Sequence, residues 1–429
     1  MAGGDRLRFR SRPSRASGNV RAPPSKSYTH RAILLAALSG GPCRILRPLL
    51  SEDTEATVSG VESLGAEVAR SADALRVTSD GLRAPGAAID ARNSGTTLRL
   101  LTGVAALLDS PVVLTGDASL VKRPMGPLLD ALNGLGVRAR SLGGDGRPPV
   151  EVRGPLKGGK ASIPGSVSSQ FLSSLLVACP LAHQATTVEV LPPIRSEPYV
   201  EVTLCMLRAF GVEARADGNQ LRIPGEQQYR PADFEVPGDF SSAAFPFVAA
   251  AVSGGDVTVE GLDARLPQGD RRILEILDGF GASVDARQDR VRVRGGDLAG
   301  RTVDLNDTPD LFPVLSVLAT QARGETRFVN GEHLRLKESD RIETTVAFLK
   351  AMGADVRGTR DGCVVRGPTR LHGAFVDSHG DHRILMAAAV AGLVADDAVD
   401  ITEPACYRVS YPSFLEDFRS LGADMVVVP

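Results

Sequence analysis

Apolar and polar positions alternate along the chain in a pattern that occurs six times. Each time, a stretch with the apolar spacing of a helix ends in an apolar residue followed by glycine, and a strand-like alternation begins. Glycine just past a helix end is typical of the left-handed cap conformation. Repetition on this scale predicts that the chain consists of copies of one structural unit. The six pairs, spaced 69–75 residues apart, are Leu64-Gly65, Leu135-Gly136, Phe210-Gly211, Phe280-Gly281, Met352-Gly353 and Leu421-Gly422.

Each predicted unit contains two helices of different character. The first continues with small or aliphatic residues on every face, as in residues 31–38, and a helix that is apolar all round is buried. The second, as in residues 54–64, has separate polar and apolar faces and is predicted to lie outside. A hairpin follows, with strands at residues 67–70 and 75–78 of the first copy. The predicted unit is therefore a helix, a strand, a second helix and a hairpin.

The two ends of the chain complement each other in this pattern. The sixth copy stops at Pro429 after one strand, and residues 7–10 have the pattern of its missing hairpin partner. Because 429 residues are too many for one ordinary core, we predict an α/β protein of two domains with three copies each. Short Pro-containing strands are expected where Pro and Gly interrupt the pattern. The predicted parts are a discontinuous domain of residues 1–22 with 238–429, an inserted domain of residues 23–237, and hinges at residues 22–24 and 236–239.

Composition narrows the classes of partner. A net charge of −2 gives no overall attraction to nucleic acid, and no apolar run is long enough to span a bilayer. The five cysteines are scattered and form no close pair, which favours a reduced cytosol over a disulfide framework or a zinc site. The arginine-rich N-terminus is interpreted as an irregular end plus a strand rather than a targeting segment. We therefore expect a cytoplasmic monomer with no metal and no nucleic-acid or membrane partner.

The starts of the buried helices carry most of the candidate binding residues. If three such helices run in parallel in each domain, their N-termini collect at one face, where unpaired N–H groups and about half a positive charge per helix attract anions. The chain has only six lysines, yet Lys26 and Lys337 both fall at this face. The residues at the helix starts and in the loops before the outer helices are Lys26, Ser27, Arg31, Arg123, Ser168, Ser169, Gln170, Ser196, Tyr199, Lys337, Glu338, Arg341, Arg383 and Arg408.

Each motif has a plainer interpretation when it is taken alone. Residues 24–27 could be no more than a capped helix start, residues 166–170 a polar loop, and residues 337–341 a solvated helix face with charge pairs. His379 and His382 could indicate a metal, but the other histidines are scattered. The recurrence of such motifs at equivalent points of six copies favours an anion site.

Taken in order, these motifs resemble one known family. The motifs are PSKSYTHR at 24–31, NSGT at 93–96, KRP at 122–124, SVSSQF at 166–171, KESDR at 337–341 and DHR at 381–383. They are similar to those of the 5-enolpyruvylshikimate-3-phosphate synthases, over nearly the whole chain. The resemblance implies an inside-out α/β barrel fold with two three-fold domains, as in enolpyruvyl transferases. It further implies transfer of the enolpyruvyl group of phosphoenolpyruvate to the 5-hydroxyl of shikimate 3-phosphate, on the route to chorismate and the aromatic amino acids, without a cofactor or metal.

The resemblance also implies a role for individual residues. Asp310 matches the proton acceptor of the family, and Glu338 and Lys26 match its proton-transfer groups. Gly95 stands where members inhibited by glyphosate have glycine. The implied ligands of shikimate 3-phosphate are Lys26, Ser27, Arg31, Ser168, Ser169, Gln170, Ser196, Tyr199, Asp310 and Lys337. The implied ligands of phosphoenolpyruvate are Lys26, Gly95, Arg123, Gln170, Arg341 and Arg383.

The chain departs from the family pattern at two positions. Val409 occupies a position where the family often has Lys, and the neighbouring Arg408 could supply that charge. His333 stands where many members have Asn.

Two other functions remain as alternatives. The sister family transfers the same group to UDP-N-acetylglucosamine and uses a Cys on a mobile loop, but residues 117–124 contain no Cys. A non-catalytic repeat scaffold that binds an anionic partner would not need Asp310 and Glu338. The presence of both carboxylates favours an enzyme.

Overall fold

The computed structural model describes residues 7–429, which form two compact units. The inserted unit is Pro24–Val236. The discontinuous unit consists of the described residues up to Pro23 together with Pro237–Pro429. The chain passes from one unit to the other at these two boundaries.

Each unit contributes six of the α-helices in the described part of the chain. Those of the inserted unit are α1 (Lys26–Leu38), α2 (Glu52–Ser63), α3 (Gly95–Ala105), α4 (Gly126–Gly134), α5 (Ser169–Ala178) and α6 (Pro198–Ala209). Those of the discontinuous unit are α7 (Phe240–Ser253), α8 (Ile273–Phe280), α9 (Phe312–Gln321), α10 (Arg341–Ala351), α11 (His382–Gly392) and α12 (Phe414–Ser420). Within residues 7–429, none of them combines the length and apolar character needed to cross a membrane.

The odd-numbered helices form the interior of their units, and the even-numbered helices bury only one side. In α11 every residue is buried, because small and aliphatic side chains occupy all faces. In α2, by contrast, glutamates and Ser63 remain outside. This helix begins two residues before the predicted start and ends one residue early. The glycines of all six predicted pairs have positive φ, which confirms the left-handed caps: they are Gly65, Gly136, Gly211, Gly281, Gly353 and Gly422.

The fifth buried helix starts later than residues 307–310, where the sequence pattern predicts its start. A 3-10 turn, Pro309–Leu311, precedes α9, so Asp310 lies before the helix rather than in it. Pro313 explains the difference. An α-helix that began earlier would need an N–H at Pro313 to bond the carbonyl four residues before, and proline has none.

The strands of the described residues are numbered in chain order. The first twelve are β1 (Arg8–Arg12), β2 (Ser17–Arg21), β3 (Cys43–Leu46), β4 (Glu67–Arg70), β5 (Ala74–Thr78), β6 (Ile89–Asp90), β7 (Val112–Thr115), β8 (Arg138–Ser141), β9 (Val150–Arg153), β10 (Gly159–Pro164), β11 (Thr186–Leu191) and β12 (Arg215–Asp217). The others are β13 (Gln220–Ile223), β14 (Phe234–Glu235), β15 (Asp256–Glu260), β16 (Ser283–Ala286), β17 (Arg290–Arg294), β18 (Thr302–Asp304), β19 (Gly324–Val329), β20 (Asp355–Gly358), β21 (Cys363–Gly367), β22 (Ala374–Val376), β23 (Val399–Ile401) and β24 (Asp424–Val428).

These strands form six four-stranded sheets with one common arrangement. In the sheet β10-β11-β13-β12, the edge strand β10 runs parallel to β11, and β11, β13 and β12 are antiparallel neighbours. The other sheets are β6-β7-β9-β8 and β14-β3-β5-β4 in the inserted unit, and β16-β17-β15-β2, β18-β19-β21-β20 and β22-β23-β1-β24 in the discontinuous unit. The sequence pattern missed the parallel edge strand of this arrangement. Edge strands such as β6 and β14 have only two residues, too few to show an alternation.

The N-terminal strand completes the last sheet, as the pattern of residues 7–10 predicted. In β1, Phe9 lies opposite Val427 of β24 on one side and opposite Ile401 of β23 on the other. Both pairings are antiparallel. Phe9 and Ile401 are fully buried in the core of this unit, and Val427 packs partly buried against it.

The two chain crossings contain single β-bridge residues, Pro24 and Gly238, rather than the short strands that the sequence predicted. Strand β2 ends at Arg21 and β14 ends at Glu235. The prolines at 23, 24 and 237 have no N–H to donate to a sheet ladder. In the discontinuous unit, the carbonyl of Pro23 instead accepts a hydrogen bond from the N–H of Asp239 at 2.9 Å.

Candidate functional site

The candidate residues of the inserted unit lie at the starts of α1, α3 and α5. Lys26 is the first residue of α1, and its Nζ bonds Asp53 Oδ2 in the first turn of α2 at 2.8 Å. Ser94 and Ser168 cap α3 and α5 with their side chains. Ser25, the N-cap of α1, makes no such side-chain bond to any described residue. The first N–H groups of α1 are therefore the better placed to bind an anion.

Arg31 is a buried cation whose hydrogen-bond acceptors are all neutral. Only 2% of the residue is exposed. Its guanidinium donates to the hydroxyls of Thr203 and Ser173, both at 2.9 Å, and to the carbonyls of Ser27 and Tyr199 at 2.9 and 3.3 Å. Burial lowers the pKa of Arg31 to about 10. A desolvated cation with neutral partners creates a positive potential that favours a bound anion.

Gly95 lies directly beneath two guanidinium groups. It is the first residue of α3, and a Cβ placed there would lie 2.9 Å from Arg123 Nη1 and 3.3 Å from Arg99 Nη1. Arg123 is also fixed by Asn93, whose Oδ1 accepts from Nη2 at 2.8 Å. The absence of a side chain at Gly95 thus allows both cations to approach the start of α3.

Gln170 connects the starts of α5 and α3. Its Oε1 accepts from Arg99 Nη1 at 2.5 Å, and its Nε2 donates to Thr96 Oγ1 at 2.8 Å. Its backbone N–H donates to Ser168 Oγ, the α5 cap. Arg99 also stacks on the ring of Phe171, with 5.3 Å between guanidinium carbon and ring centroid. These contacts fix the orientation of the Gln170 amide.

The remaining candidates of this unit occupy nearby turns. Ser196 is buried and has a φ of 56°, in the left-handed region, two residues before α6 begins. Tyr199 is in the first turn of α6. Ser27 and Ser169 are in the first turns of α1 and α5. The hydrogen bonds of Arg31 join Ser27 and Tyr199 into one group, whereas Ser196 and Ser169 take no part in them.

Most candidates of the discontinuous unit form one connected network around Arg341. This first residue of α10 is 1% exposed. Its Nε and Nη2 bond the two oxygens of Asp381 at 2.8 and 3.2 Å, and Nη2 also bonds Glu338 at 2.7 Å. Its Nη1 bonds Asp310 Oδ1 at 2.8 Å, and Arg383 Nη2 bonds Asp310 Oδ2 at 2.9 Å.

Lys337 is more exposed and stands further from the same carboxylate. Its Nζ lies 3.8 Å from Asp310 Oδ1, and 30% of its side chain is exposed. Five of the six predicted residues of this unit are therefore brought together, along with Asp381, whereas Arg408 takes no part in these contacts.

The charges of this network hold Asp310 and Asp381 ionised. Burial disfavours the charged form of Asp310, but Arg383 and two further cations outweigh it and keep the pKa well below the usual range. Burial acts in the same way on Asp381, where Arg341 outweighs it and lowers the pKa. For Arg341, burial is outweighed by Asp381 and two further carboxylates, which raise its pKa. With both arginines bound to it, Asp310 is a weak base.

At the two departures from the family pattern, His333 is itself buried, and Arg408 lies beside the buried ring of Tyr407. His333 is in the 3-10 turn Glu332–Leu336 and is 6% exposed. The Cζ of Arg408 lies 5.9 Å from the centroid of the neighbouring Tyr407 ring. Among residues 7–429, no group of three or more His, Cys, Asp or Glu is arranged to hold a metal ion.

Comparisons with known proteins agree along nearly the full length. A model of the EPSP synthase family, described as 3-phosphoshikimate 1-carboxyvinyltransferase, matches residues 11–418. This chain belongs to the EPSP synthase family.

Curated relatives and solved structures support the same assignment. The 3-phosphoshikimate 1-carboxyvinyltransferase of Methanocorpusculum labreanum is 47% identical over 415 residues, covering 96% of this chain and 98% of the relative. That of Methanothrix thermoacetophila is 50% identical over 417 residues, covering 96% and 97%. The EPSP synthase structure from Acinetobacter baumannii has a TM-score of 0.83 at 31% identity, covering 99% of this chain and all of that one. The chain therefore has the two-domain α/β fold of EPSP synthases.

Sequence reasoning overlooked several polar residues of this EPSP synthase family member. Arg99 fixes Gln170, Asp53 bonds Lys26, and Asp381 bonds Arg341. Arg99 follows Gly95 by one helical turn and is the one charged residue of α3, which is a usable signal for a functional cation. Asp381 lies within the motif at 381–383, where only Arg383 received a role. No local signal marks Asp53.

Replacing Arg341 by Met is expected to destabilise the protein by about 3–5 kcal/mol at neutral pH, because buried carboxylates lose their cation. In the parent protein, Asp310 and Asp381 have lowered pKa values, so their stabilisation is present above the ordinary carboxyl pKa and is lost as the pH falls. In the variant, Asp381 binds a proton at higher pH. The difference in unfolding free energy is therefore expected to shrink between about pH 8 and pH 5.

Urea denaturation at several pH values measures this difference. Arg360→Met is the matched control, because that side chain is 88% exposed although it pairs with Glu332. A destabilisation equal to that of the control, or one independent of pH, would contradict the prediction.

Proposed function

We propose that this protein transfers the enolpyruvyl group of phosphoenolpyruvate to the 5-hydroxyl of shikimate 3-phosphate, giving 5-enolpyruvylshikimate 3-phosphate and phosphate. The observation that carries the proposal is the bond of Asp310 to both Arg341 and Arg383. It places a carboxylate that can act as a base against two cations that can bind an anionic substrate. Membership of the EPSP synthase family supports the same reaction.

The inserted unit is proposed to bind most of shikimate 3-phosphate. Arg31 offers a buried cation that bonds no carboxylate among residues 7–429, and the start of α1 lacks a side-chain cap from these residues. Phosphate and carboxylate are the ligands that such groups prefer. The full proposed set is Lys26, Ser27, Arg31, Ser168, Ser169, Gln170, Ser196, Tyr199, Asp310 and Lys337.

Three arginines are proposed as ligands of phosphoenolpyruvate. Arg123, above Gly95, and the pair Arg341 and Arg383 offer planar donors that match a carboxylate or a phosphate bidentately. Lys26 and Gln170 complete the set as contacts to both substrates.

The reaction needs one proton acceptor and one proton donor in each step. In the addition, the 5-hydroxyl attacks C2 of phosphoenolpyruvate and loses its proton, while C3 gains one. In the elimination, the tetrahedral intermediate loses phosphate and a C3 proton. We assign Asp310 as the acceptor and Glu338 and Lys26 as proton-transfer groups. The surrounding cations stabilise the intermediate, which retains the phosphate and carboxylate charges.

Substrate binding is proposed to convert Asp310 into an effective base. Without substrate, Arg383 and its neighbours keep the pKa of Asp310 low. An incoming phosphoenolpyruvate competes for the same guanidinium groups and adds negative charge, and both effects raise the pKa of the carboxyl. Lys26 would exchange its partner Asp53 in the same way. The base thus gains strength only when there is a substrate to react.

Two finer features accompany this proposal. We propose that the six sheets and their helices are six copies of one unit, three in each domain, arranged as an inside-out α/β barrel. The common strand order and directions of the six sheets support this. We further propose a cytoplasmic monomer with domains at residues 1–22 with 238–429 and at 23–237.

A phosphate-release assay with phosphoenolpyruvate and either acceptor tests the function. Phosphate release is expected when shikimate 3-phosphate is the acceptor and not when UDP-N-acetylglucosamine is. Release with UDP-N-acetylglucosamine would favour the sister transferase, and release with neither acceptor would favour a non-catalytic scaffold.

Substitutions of Asp310 and Arg123 are expected to change different kinetic constants. Asp310→Asn should lower kcat by about 100-fold or more with a smaller change in KM, because a base acts mainly in the transition state. Arg123→Ala should raise the KM for phosphoenolpyruvate by about 10- to 150-fold, since a lost charged hydrogen bond costs about 1.5–3 kcal/mol. Steady-state kinetics measure both changes, with Lys122→Ala as the control because this neighbouring residue is exposed. A main effect of Asp310→Asn on KM together with a main effect of Arg123→Ala on kcat would reject these roles.

Gly95→Ala is expected to discriminate between phosphoenolpyruvate and glyphosate. The new methyl group would lie 2.9 Å from Arg123 Nη1, so the guanidinium must shift. Glyphosate is longer than phosphoenolpyruvate and should lose more affinity than the substrate does. Inhibition by glyphosate is measured at fixed phosphoenolpyruvate, with Gly86→Ala as control because a Cβ there meets no atom of the described residues within 4 Å. Equal inhibition of Gly95→Ala and the parent would refute the prediction.

A further inference from the structure

A short segment before α8 holds the start of α7. Gln268 donates from Nε2 to the carbonyl of Gly238 at 2.9 Å, and its Oε1 accepts from the N–H of Phe240 at 3.1 Å. Two residues later, Asp270 Oδ2 accepts a short hydrogen bond from the hydroxyl of Ser241. Residues 268–270 therefore hold both the chain crossing and the first turn of α7.

Asp270 is a buried acid with only part of its hydrogen-bonding capacity used. The residue is 2% exposed. Its Oδ1 is buried and makes no hydrogen bond with any described residue. Such an oxygen is costly as part of a carboxylate and much less costly as part of a neutral carboxylic acid. The position is thus unusual for an acid whose only role is structural.

The environment of Asp270 connects it to the proposed catalytic network. Burial raises its pKa to about 7, and the negative charge of Asp310 adds to this effect, while Arg383 acts in the opposite direction. The pKa values of Asp270 and Asp310 are therefore shifted in opposite directions. Asp310 is ionised, and Asp270 holds a proton up to about neutral pH. Paired carboxyls with separated pKa values are a recurrent feature of acid–base sites.

Other charged groups close to this segment are either fixed or exposed. Asp239, which caps α7 by accepting from the N–H of Ser242, also raises the pKa of Asp270, but less than Asp310 does. On the Gly269–Arg272 turn, Arg271 and Arg272 are exposed, and Arg272 pairs with Asp307 at 3.6 Å. On α8, Glu275 and Asp278 are exposed.

We propose that Asp270 is a positioning residue for phosphoenolpyruvate: its buried carboxyl, held by Ser241, sets how much negative charge acts on Arg383 and Asp310. This rests on the proposed function, which assigns Arg383 as a ligand and Asp310 as the base. When Asp270 is neutral, its carboxyl adds no negative charge to the charges of Asp310 and the substrate that act on Arg383. When Asp270 ionises, a second carboxylate competes for Arg383 and repels the anionic substrate.

The decisive comparison is the KM for phosphoenolpyruvate in the parent protein and in Asp270→Asn. Asn has the shape of the neutral acid and can still accept from Ser241, but it cannot ionise. The ratio of parent to variant KM is expected to rise about five-fold or more between about pH 6 and pH 8.5, because only the parent gains the repelling charge. The change should fall on KM rather than on kcat.

Two further variants separate this role from a purely structural one. Ser241→Ala removes a bond that favours the ionised form of Asp270, so the rise in KM should move to higher pH. Asp278→Asn, an exposed acid of the same segment, should follow the parent at every pH. A KM ratio independent of pH for Asp270→Asn, or an unchanged midpoint for Ser241→Ala, would overturn the proposal.

A stability measurement tests the ionisation of Asp270 independently of any activity. The raised pKa of this acid predicts that the parent loses stability relative to Asp270→Asn as the pH rises from about 4 to 7, with no further change above. Urea midpoints of both proteins report this difference. A difference that is constant over this range would contradict the titration of Asp270 even if the enzyme acts on other substrates. The expected titration together with no phosphate release from the parent would instead refute the proposed function.

Discussion

The buried guanidinium of Arg341 determines how the candidate site of the discontinuous unit is built. It bonds Asp310, Glu338 and Asp381, which precede or begin three different helices. A desolvated ion is tolerated only if its partners compensate for lost water, so these segments must keep their relative positions. The orientation of Asp310 and its low pKa both follow from this requirement. The ion pairs of Arg341 thus compensate the buried charges and also fix the geometry of Asp310, the proposed base.

The inserted unit solves the problem of buried charge differently. Lys26 has a carboxylate partner in Asp53, but the partners of Arg31 in the described part of the chain are hydroxyl and carbonyl oxygens. Hydroxyl dipoles offset less of the charge than a carboxylate would. The unit consequently retains a positive potential next to the uncapped start of α1. A bound anion would complete the compensation that the protein leaves partial.

The fold was predictable where a local pattern carries it. The six apolar-Gly pairs, the buried helices and the match of residues 7–10 to the last sheet could all be read from spacing. The edge strands β6 and β14 could not, because two residues show no alternation and their pairing comes from distant chain. The same division holds for the site. Arg341 and Arg383 lie in recognisable motifs. The roles of Asp53 and Asp270 could not be predicted, because their partners Lys26 and Ser241 are distant in the sequence.

The position of β1 between β23 and β24 affects how the protein can fold during synthesis. The inserted unit is continuous in sequence, so it can fold as soon as Val236 has been made. The last sheet of the discontinuous unit must wait, because Phe9 pairs with Val427 near the opposite end of the chain. Until then the N-terminal strand has no partner on either side, and its ladder groups are exposed to other chains. Synthesis of residues 424–428, rather than of the inserted unit, is therefore the event that allows this last sheet to close.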